Sequence, residues 1–253
     1  MTRNIYFIHG ICDFSLSFIQ MFRFLGREGY KVYFNDLPGH GSKISDWEKG
    51  SITFTKICSA VSLDIKKQIK GEKFILIAHS MGCAVASNVF LKHKSQIEKI
   101  IFINPFTPMG PFKKIDKNPE LPKKGKDYYV TIVKFGKKYD LPEKEETLKK
   151  TFFGWLPQDY KFFLPLMLEL AKQRRMRMIN LDYREIAKYV KKIPISLITC
   201  DKDTDIPNNL TLNYFNNMYK KFSHYTLNCG HNPCKEVPNE FNSLIKTIVS
   251  KEE

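Results

Sequence analysis

Ser80, Asp203 and His231 are the residue types of a proton-relay nucleophile, and each stands just past a short apolar run. A serine hydroxyl is a poor nucleophile at neutral pH and needs a base to take its proton. An imidazole that titrates near neutrality can accept that proton and hand it to a leaving group. A carboxylate beside the imidazole fixes its tautomer and stabilises the imidazolium that forms. Two more groups complete the chemistry from the main chain. The N–H of Met81, directly after the serine, and the N–H of Ile11, after His9-Gly10, are the expected donors to an oxyanion.

Those groups need elements to hold them. Lys73-Phe74-Ile75-Leu76-Ile77 reads as a buried strand and Cys83–Leu91 as an apolar helix, so Ala78-His79-Ser80-Met81-Gly82 is a sharp strand-to-helix turn. A strained serine requires small flanks, which Gly82 and Ala78 provide. The helix start aims its free N–H groups at the serine. Asn4–Ile8 is a strand ending in His9-Gly10, Pro194–Cys200 a strand before Asp201–Pro207, and Phe222–Leu227 a strand before Asn228–Pro233. Asp201 and Asp205 compete with Asp203 for the acid. The expected order is strand 4–8, helix 15–28, strand 31–35, helix 52–69, strand 73–78, helix 81–93 and strand 97–103. After an interruption it continues with strand 194–200, helix 207–220, strand 222–227 and helix 237–250. Alternating strands and helices imply a parallel sheet covered on both faces, with functional groups at the carboxyl ends of its strands.

With Ile8-His9-Gly10, Asp36-Leu37-Pro38-Gly39-His40-Gly41, His79-Ser80-Met81-Gly82, Asp203-Thr204-Asp205-Ile206-Pro207 and Gly230-His231-Asn232-Pro233 followed by Glu236, the chain resembles the α/β-hydrolases. The resemblance spans nearly the whole chain except its middle. It implies an α/β-hydrolase fold with a mostly parallel sheet, nucleophile Ser80, acid Asp203, base His231, and an oxyanion hole of the Ile11 and Met81 amides. It implies no metal and no cofactor. Ala78 and Cys200 stand where glycine is commoner, and Lys43 where serine is, with Ser42 one place early. Within the superfamily the compact layout is similar to pimeloyl-acyl-carrier-protein methyl ester esterases of biotin synthesis. A serine at position 80 argues against dehalogenase or epoxide hydrolase chemistry, whose members carry aspartate there.

The interruption gives the expected division: a core of residues 1–105 and 193–253, and a helical lid over 106–192. Asn104–Pro111 is too rich in proline and glycine for a regular element, and the short helices expected beyond it carry aromatics such as Phe152, Trp155 and Phe162. Residues 111–192 hold 21 Lys+Arg against 11 Asp+Glu, two-thirds of the net charge of +15. Such a surplus serves either as solvated surface or as an attraction for an acidic partner. Arg174, Arg175, Arg177 and Arg184 are the candidate anion-binding residues, with Arg174, Arg177 and Arg184 sharing one face if Gln173–Tyr189 is helical. An acidic carrier protein bearing the ester suits that charge; the rival readings are a lipase-like hydrolase of monoacylglycerol or lysophospholipid whose lid touches an anionic membrane, and a non-catalytic ligand-binding protein on the same fold. Nucleic acid does not suit it, since no binding fold matches.

A hydrophobic content of 43% is that of an ordinary globular domain, and no apolar stretch approaches the roughly 20 residues that cross a bilayer. Only eight residues precede His9, too few for a secretory signal, so a cytoplasmic protein is expected. None of the six cysteines is spaced Cys-x-x-Cys, and Cys229 with Cys234 lacks companions for zinc. Cys12 and Cys83 are expected near the site, where alkylation would crowd it. His9 and His40 read as structural or substrate-lining, His79 as directed into the sheet surroundings, and His224 as an ordinary strand histidine. His93 falls near the C-terminal end of the helix after Ser80, where it is favourable to the dipole and needs no other role.

Overall fold

The computed structural model describes residues 3–11, 13–43, 46, 52–107, 183–189, 192–203, 206 and 208–251. Arg174, Arg175, Arg177, Cys12 and most of the expected lid lie outside them. Among the described residues, six strands form one sheet in the order β2-β1-β3-β4-β5-β6, every neighbouring pair parallel: β1 (Asn4–Ile8), β2 (Lys31–Phe34), β3 (Phe74–His79), β4 (Ile97–Ile103), β5 (Ile195–Cys200) and β6 (Ser223–Leu227). Among the described residues the helices are α1 (Ile19–Arg27), α2 (Phe54–Ile69), α3 (Met81–His93), α4 (Arg184–Ala187), α5 (Asn208–Met218), α6 (Pro233–Glu236) and α7 (Pro238–Ser250), with a 3-10 turn at Ser15–Phe18.

Strand pleating divides the apolar side chains between two cores. Tyr6, Ile8, Phe74, Leu76, Ile100, Phe102 and Leu197 face α2, α3 and α5. Ile5, Phe7, Ile75, Ile77, Ile101, Ile103 and Ile198 face α1 and α7. Because β1, β3 and β4 are covered on both sides, they read as continuous apolar runs instead of alternating ones. The edge strands β2 and β6 are only partly buried, as their polar residues require.

Helix ends follow local chemistry. The Thr53 hydroxyl accepts from Lys56 N–H at 3.2 Å to cap α2, and Lys70 closes the helix in the left-handed region at φ 52°. Pro233 and Pro238 each open a helix, so the segment expected as one helix from 237 is preceded by the separate turn α6. The last part of the interruption packs on the core. Tyr183 is fully buried against Phe102 and Phe215, and its hydroxyl donates to Phe106 O at 2.7 Å. Arg184 follows on α4 and is exposed. Among the described residues, no helix is long and apolar enough to cross a membrane.

Candidate active site

β3 ends at His79 and α3 begins at Met81, leaving Ser80 alone to make the turn, at φ 51° and ψ −122°. Few residues other than glycine adopt positive φ, and here the surroundings enforce it. Ser80 N–H donates to Ile103 O at 2.9 Å, while Ser80 O accepts from Cys83 N–H at 3.0 Å and Phe106 N–H at 3.2 Å. A Cβ on Gly82 would stand 2.5 Å from both Ile8 O and His9 O, so only glycine lets the start of α3 lie against the end of β1. A Cβ on Gly10 would meet Ser80 Cβ at 2.9 Å, which places the His9-Gly10-Ile11 turn directly against the serine. Ile11 is half-buried in that turn. Met81 is the first residue of α3, where N–H groups have no acceptor within the helix.

The two other residues arrive from β5 and β6. His231 Nε2 accepts from the Ser80 hydroxyl at 2.9 Å, and its Nδ1–H donates to Asp203 Oδ2 at 2.7 Å. Asp203 Oδ1 accepts from Ile206 N–H at 2.8 Å, which fixes the carboxylate at both oxygens. The Asp203 side chain is fully buried and that of His231 is 16% exposed, so the relay is dry at the acid and open at the base. Asp201 is exposed and its N–H joins the turn to Leu227 O; Asp205 lies outside the described residues. The loop that carries His231 is bracketed by Glu236, which accepts from Gly230 N–H at 2.7 Å and Asn232 N–H at 3.1 Å.

The remaining histidines sort by burial. His9 is completely buried; its Nδ1–H donates to Gly10 O at 2.7 Å and its Nε2 accepts from Leu37 N–H at 2.9 Å. It ties the His9-Gly10-Ile11 turn to the Pro-Gly-His-Gly turn, the structural role of the two expected for it. His40, also completely buried, lies 5.3 Å from the His9 ring, and burial holds it down to about 3. The turn itself hangs on Asp36, which accepts from Ser15 N–H at 2.7 Å and from the N–H and hydroxyl of Ser42 at 2.8 and 2.7 Å. Burial pushes the Asp36 carboxyl up, but these donors outweigh it and bring it to about 2. Gly41, at φ 49°, has no room for a Cβ beside that carboxylate. His224 is an exposed strand residue paired with Thr199 Oγ1 at 2.8 Å.

His93 stands in the last turn of α3 as expected, buried there and bonded to Ser62 Oγ at 2.9 Å, and burial lowers its basicity. One expectation changes. Cys83 is fully enclosed beneath the elbow, its thiol donating to Ala78 O at 3.1 Å, and burial raises it far above the usual thiol range. A reagent cannot reach it in the native fold. Sequence reasoning also passed over two contacts: His79 Nε2–H and Asn104 Nδ2–H both donate to His231 O, at 2.9 and 3.0 Å. Neither residue carries a periodic or motif signal that reveals a partner more than a hundred positions away. Among the described residues, no group of three or more His, Cys, Asp or Glu gathers to hold a metal ion.

A family model described as the alpha/beta hydrolase fold matches residues 3–232. The chain belongs to the α/β-hydrolase family. This hydrolase is 24% identical over 215 residues to a Mycoplasma genitalium protein with the provisional name esterase/lipase 3, covering 85% of this chain and 73% of that one. A crystal structure of a bacterial membrane phospholipase A superposes with a TM-score of 0.68 at 19% identity, over 98% of this chain and 78% of that chain. A mutant form of polyneuridine aldehyde esterase superposes with a TM-score of 0.66 at 16% identity, over 99% and 100% of the two chains. At those identities the two solved structures speak for the fold alone.

Proposed function

We propose that this α/β-hydrolase cleaves carboxylic esters through an acyl-enzyme. The observation that carries the reading is the continuous relay from the buried Asp203 carboxylate through His231 to the hydroxyl of the strained Ser80. Ser80 Oγ attacks the ester carbonyl while His231 Nε2 takes its proton. The oxyanion meets the Ile11 and Met81 N–H groups, each contributing about 3 kcal/mol to the transition state. His231 returns the proton to the departing alcohol, then removes one from a water that attacks the acyl group and frees Ser80. Asp203 holds the imidazole in the productive tautomer and stabilises the imidazolium. The similarity to a protein named as an esterase/lipase supports ester chemistry.

For the substrate, the surplus of positive charge in residues 111–192 supports an acyl ester borne by an acidic carrier, of the pimeloyl methyl ester kind. In this reading 106–192 is a lid over Ser80, and Arg174, Arg175, Arg177 and Arg184 meet the carrier. Two measurements test the two levels separately. A fluorophosphonate labels the native chain and fails to label Ser80→Ala; labelling that survives the substitution refutes the nucleophile. Charge reversal of Arg174, Arg175 and Arg177 lowers kcat/KM for a carrier-bound methyl ester while leaving p-nitrophenyl acetate turnover unchanged. Equal loss on both substrates, or on neither, refutes the carrier.

A further inference from the structure

The relay requires that an imidazole on an edge-strand loop be held to a few tenths of an ångström over a hydroxyl on a central strand. The Asp203 bond holds one ring atom, and Glu236 holds the main chain on either side of His231. The carbonyl of His231 itself carries two further bonds. His79, the last residue of β3, donates from Nε2 at 2.9 Å, and Asn104, one residue past β4, donates from Nδ2 at 3.0 Å. A carbonyl oxygen has two lone pairs, so these two donors saturate it.

We propose that His79 and Asn104 are positioning residues, gripping the His231 carbonyl from the ends of the two central strands and so setting its imidazole over Ser80. Both residues are shaped for the task. Asn104 sits at φ 42°, a region where asparagine is better tolerated than other side chains, and its amide also reaches Cys200 Sγ at 3.2 Å. The conformation turns the amide towards the β6 loop. His79 is 99% buried, and its ring lies 4.9 Å from the His231 ring at an interplanar angle of 44°. Facing a carbonyl, Nε2 must carry the proton, and burial first, with the neighbouring His231 second, keeps the imidazole uncharged down to about 4. An uncharged ring matters, because a second cation at this distance would oppose the imidazolium that catalysis forms. Gly10 again supplies the space: a Cβ there would stand 3.2 Å from His79 Nδ1. The Ser80 turn, the His79 donor and the Gly10 approach thus come from one packing arrangement.

The clamp rests on the proposed Ser80–His231–Asp203 relay for its catalytic consequence, but its geometry can be read without turnover. Four proteins are compared: wild type, His79→Phe, which keeps a ring and removes the donor, His79→Gln, which restores an N–H near Nε2, and Asn104→Asp, which puts a carboxylate against the carbonyl. The measurements are kcat and KM for p-nitrophenyl acetate and the low-field proton resonance of His231 Nδ1–H. Expected is a fall in kcat on the order of 10- to 100-fold in His79→Phe and Asn104→Asp, with KM held within about twofold and His79→Gln recovering most of it. The His231 proton signal shifts or broadens in the same two variants and returns in His79→Gln. A wild-type signal with wild-type kcat in either His79→Phe or Asn104→Asp overturns the clamp. So does a loss in His79→Phe that His79→Gln fails to reduce, because that marks a packing role only. If wild type turns over no ester and takes no fluorophosphonate while the signal still moves in His79→Phe, the hydrolase reading falls and the clamp stands.

Discussion

At the scale of single residues, small and strained positions do most to define the site. Gly82 is required because two carbonyl oxygens of the β1 end lie where its Cβ would go. Gly82→Ala is therefore expected to cost about 2–3 kcal/mol and to lower kcat, measured by urea unfolding and ester turnover; an unchanged midpoint would contradict the packing. Asp203 separates geometry from chemistry. Asp203→Asn leaves the Ile206 bond available through Oδ1 but presents an N–H donor to His231, so the wrong tautomer is favoured. By analogy with other triads kcat falls about 10⁴-fold with little change in Tm; retention of most activity points to another acid. The Ser80, Asp203 and His231 types are legible in the sequence because each closes a strand and because elbow chemistry tolerates few substitutes. His79 and Asn104 are not, since a hydrogen bond to a backbone carbonyl asks nothing of the sequence around that carbonyl. His93 is half legible for a related reason: its place at a helix end is visible in sequence, while the Ser62 hydroxyl that meets it on α2 is not.

At the scale of elements, most strands and helices are readable to within a residue or two, and β1, α3 and β4 fall on their expected bounds. Continuous apolar runs flanked by turn residues leave little freedom in a doubly covered sheet. The mismatches are at helix starts, where capping and proline outrank periodicity: the expected helix from 15 opens with a 3-10 turn, and Pro238 divides α6 from α7. Capping offers a clean check of element stability independent of the site. Thr53→Ala removes the acceptor for Lys56 N–H and should cost about 1 kcal/mol with kcat unchanged. A parallel loss of activity would mean that α2 communicates with Ser80.

At the scale of the whole molecule, buried neutral histidines set an acid limit. Burial lowers His9, holds His40 to about 3 and, together with the nearby His231, holds His79 to about 4. In the unfolded chain each titrates near 6.5. Between about 4 and 6.5 the unfolded state binds protons that the native state refuses, so stability rises with pH across that window and is lost as pH falls through it. Each imidazole adds a slope of about 1.4 kcal/mol per pH unit where it is fully engaged. Urea unfolding at pH 7 and pH 5 should show a clearly lower midpoint at pH 5; equal midpoints would mean that these rings take up protons while folded.

The relay joins residues 151 positions apart, with β4 and β5 lying between the strand of the serine and that of its base. On the ribosome, Ser80 and its elbow emerge long before His231 exists, so under the proposed mechanism a nascent chain carries the hydroxyl without its base. Reactivity then requires that β5 and β6 have joined the sheet and brought Asp203 and His231 to the serine. Fluorophosphonate uptake is then a reporter of completed synthesis and folding: in a pulse-labelled culture, its appearance should lag that of full-length chain by the docking time of the carboxyl-terminal strands.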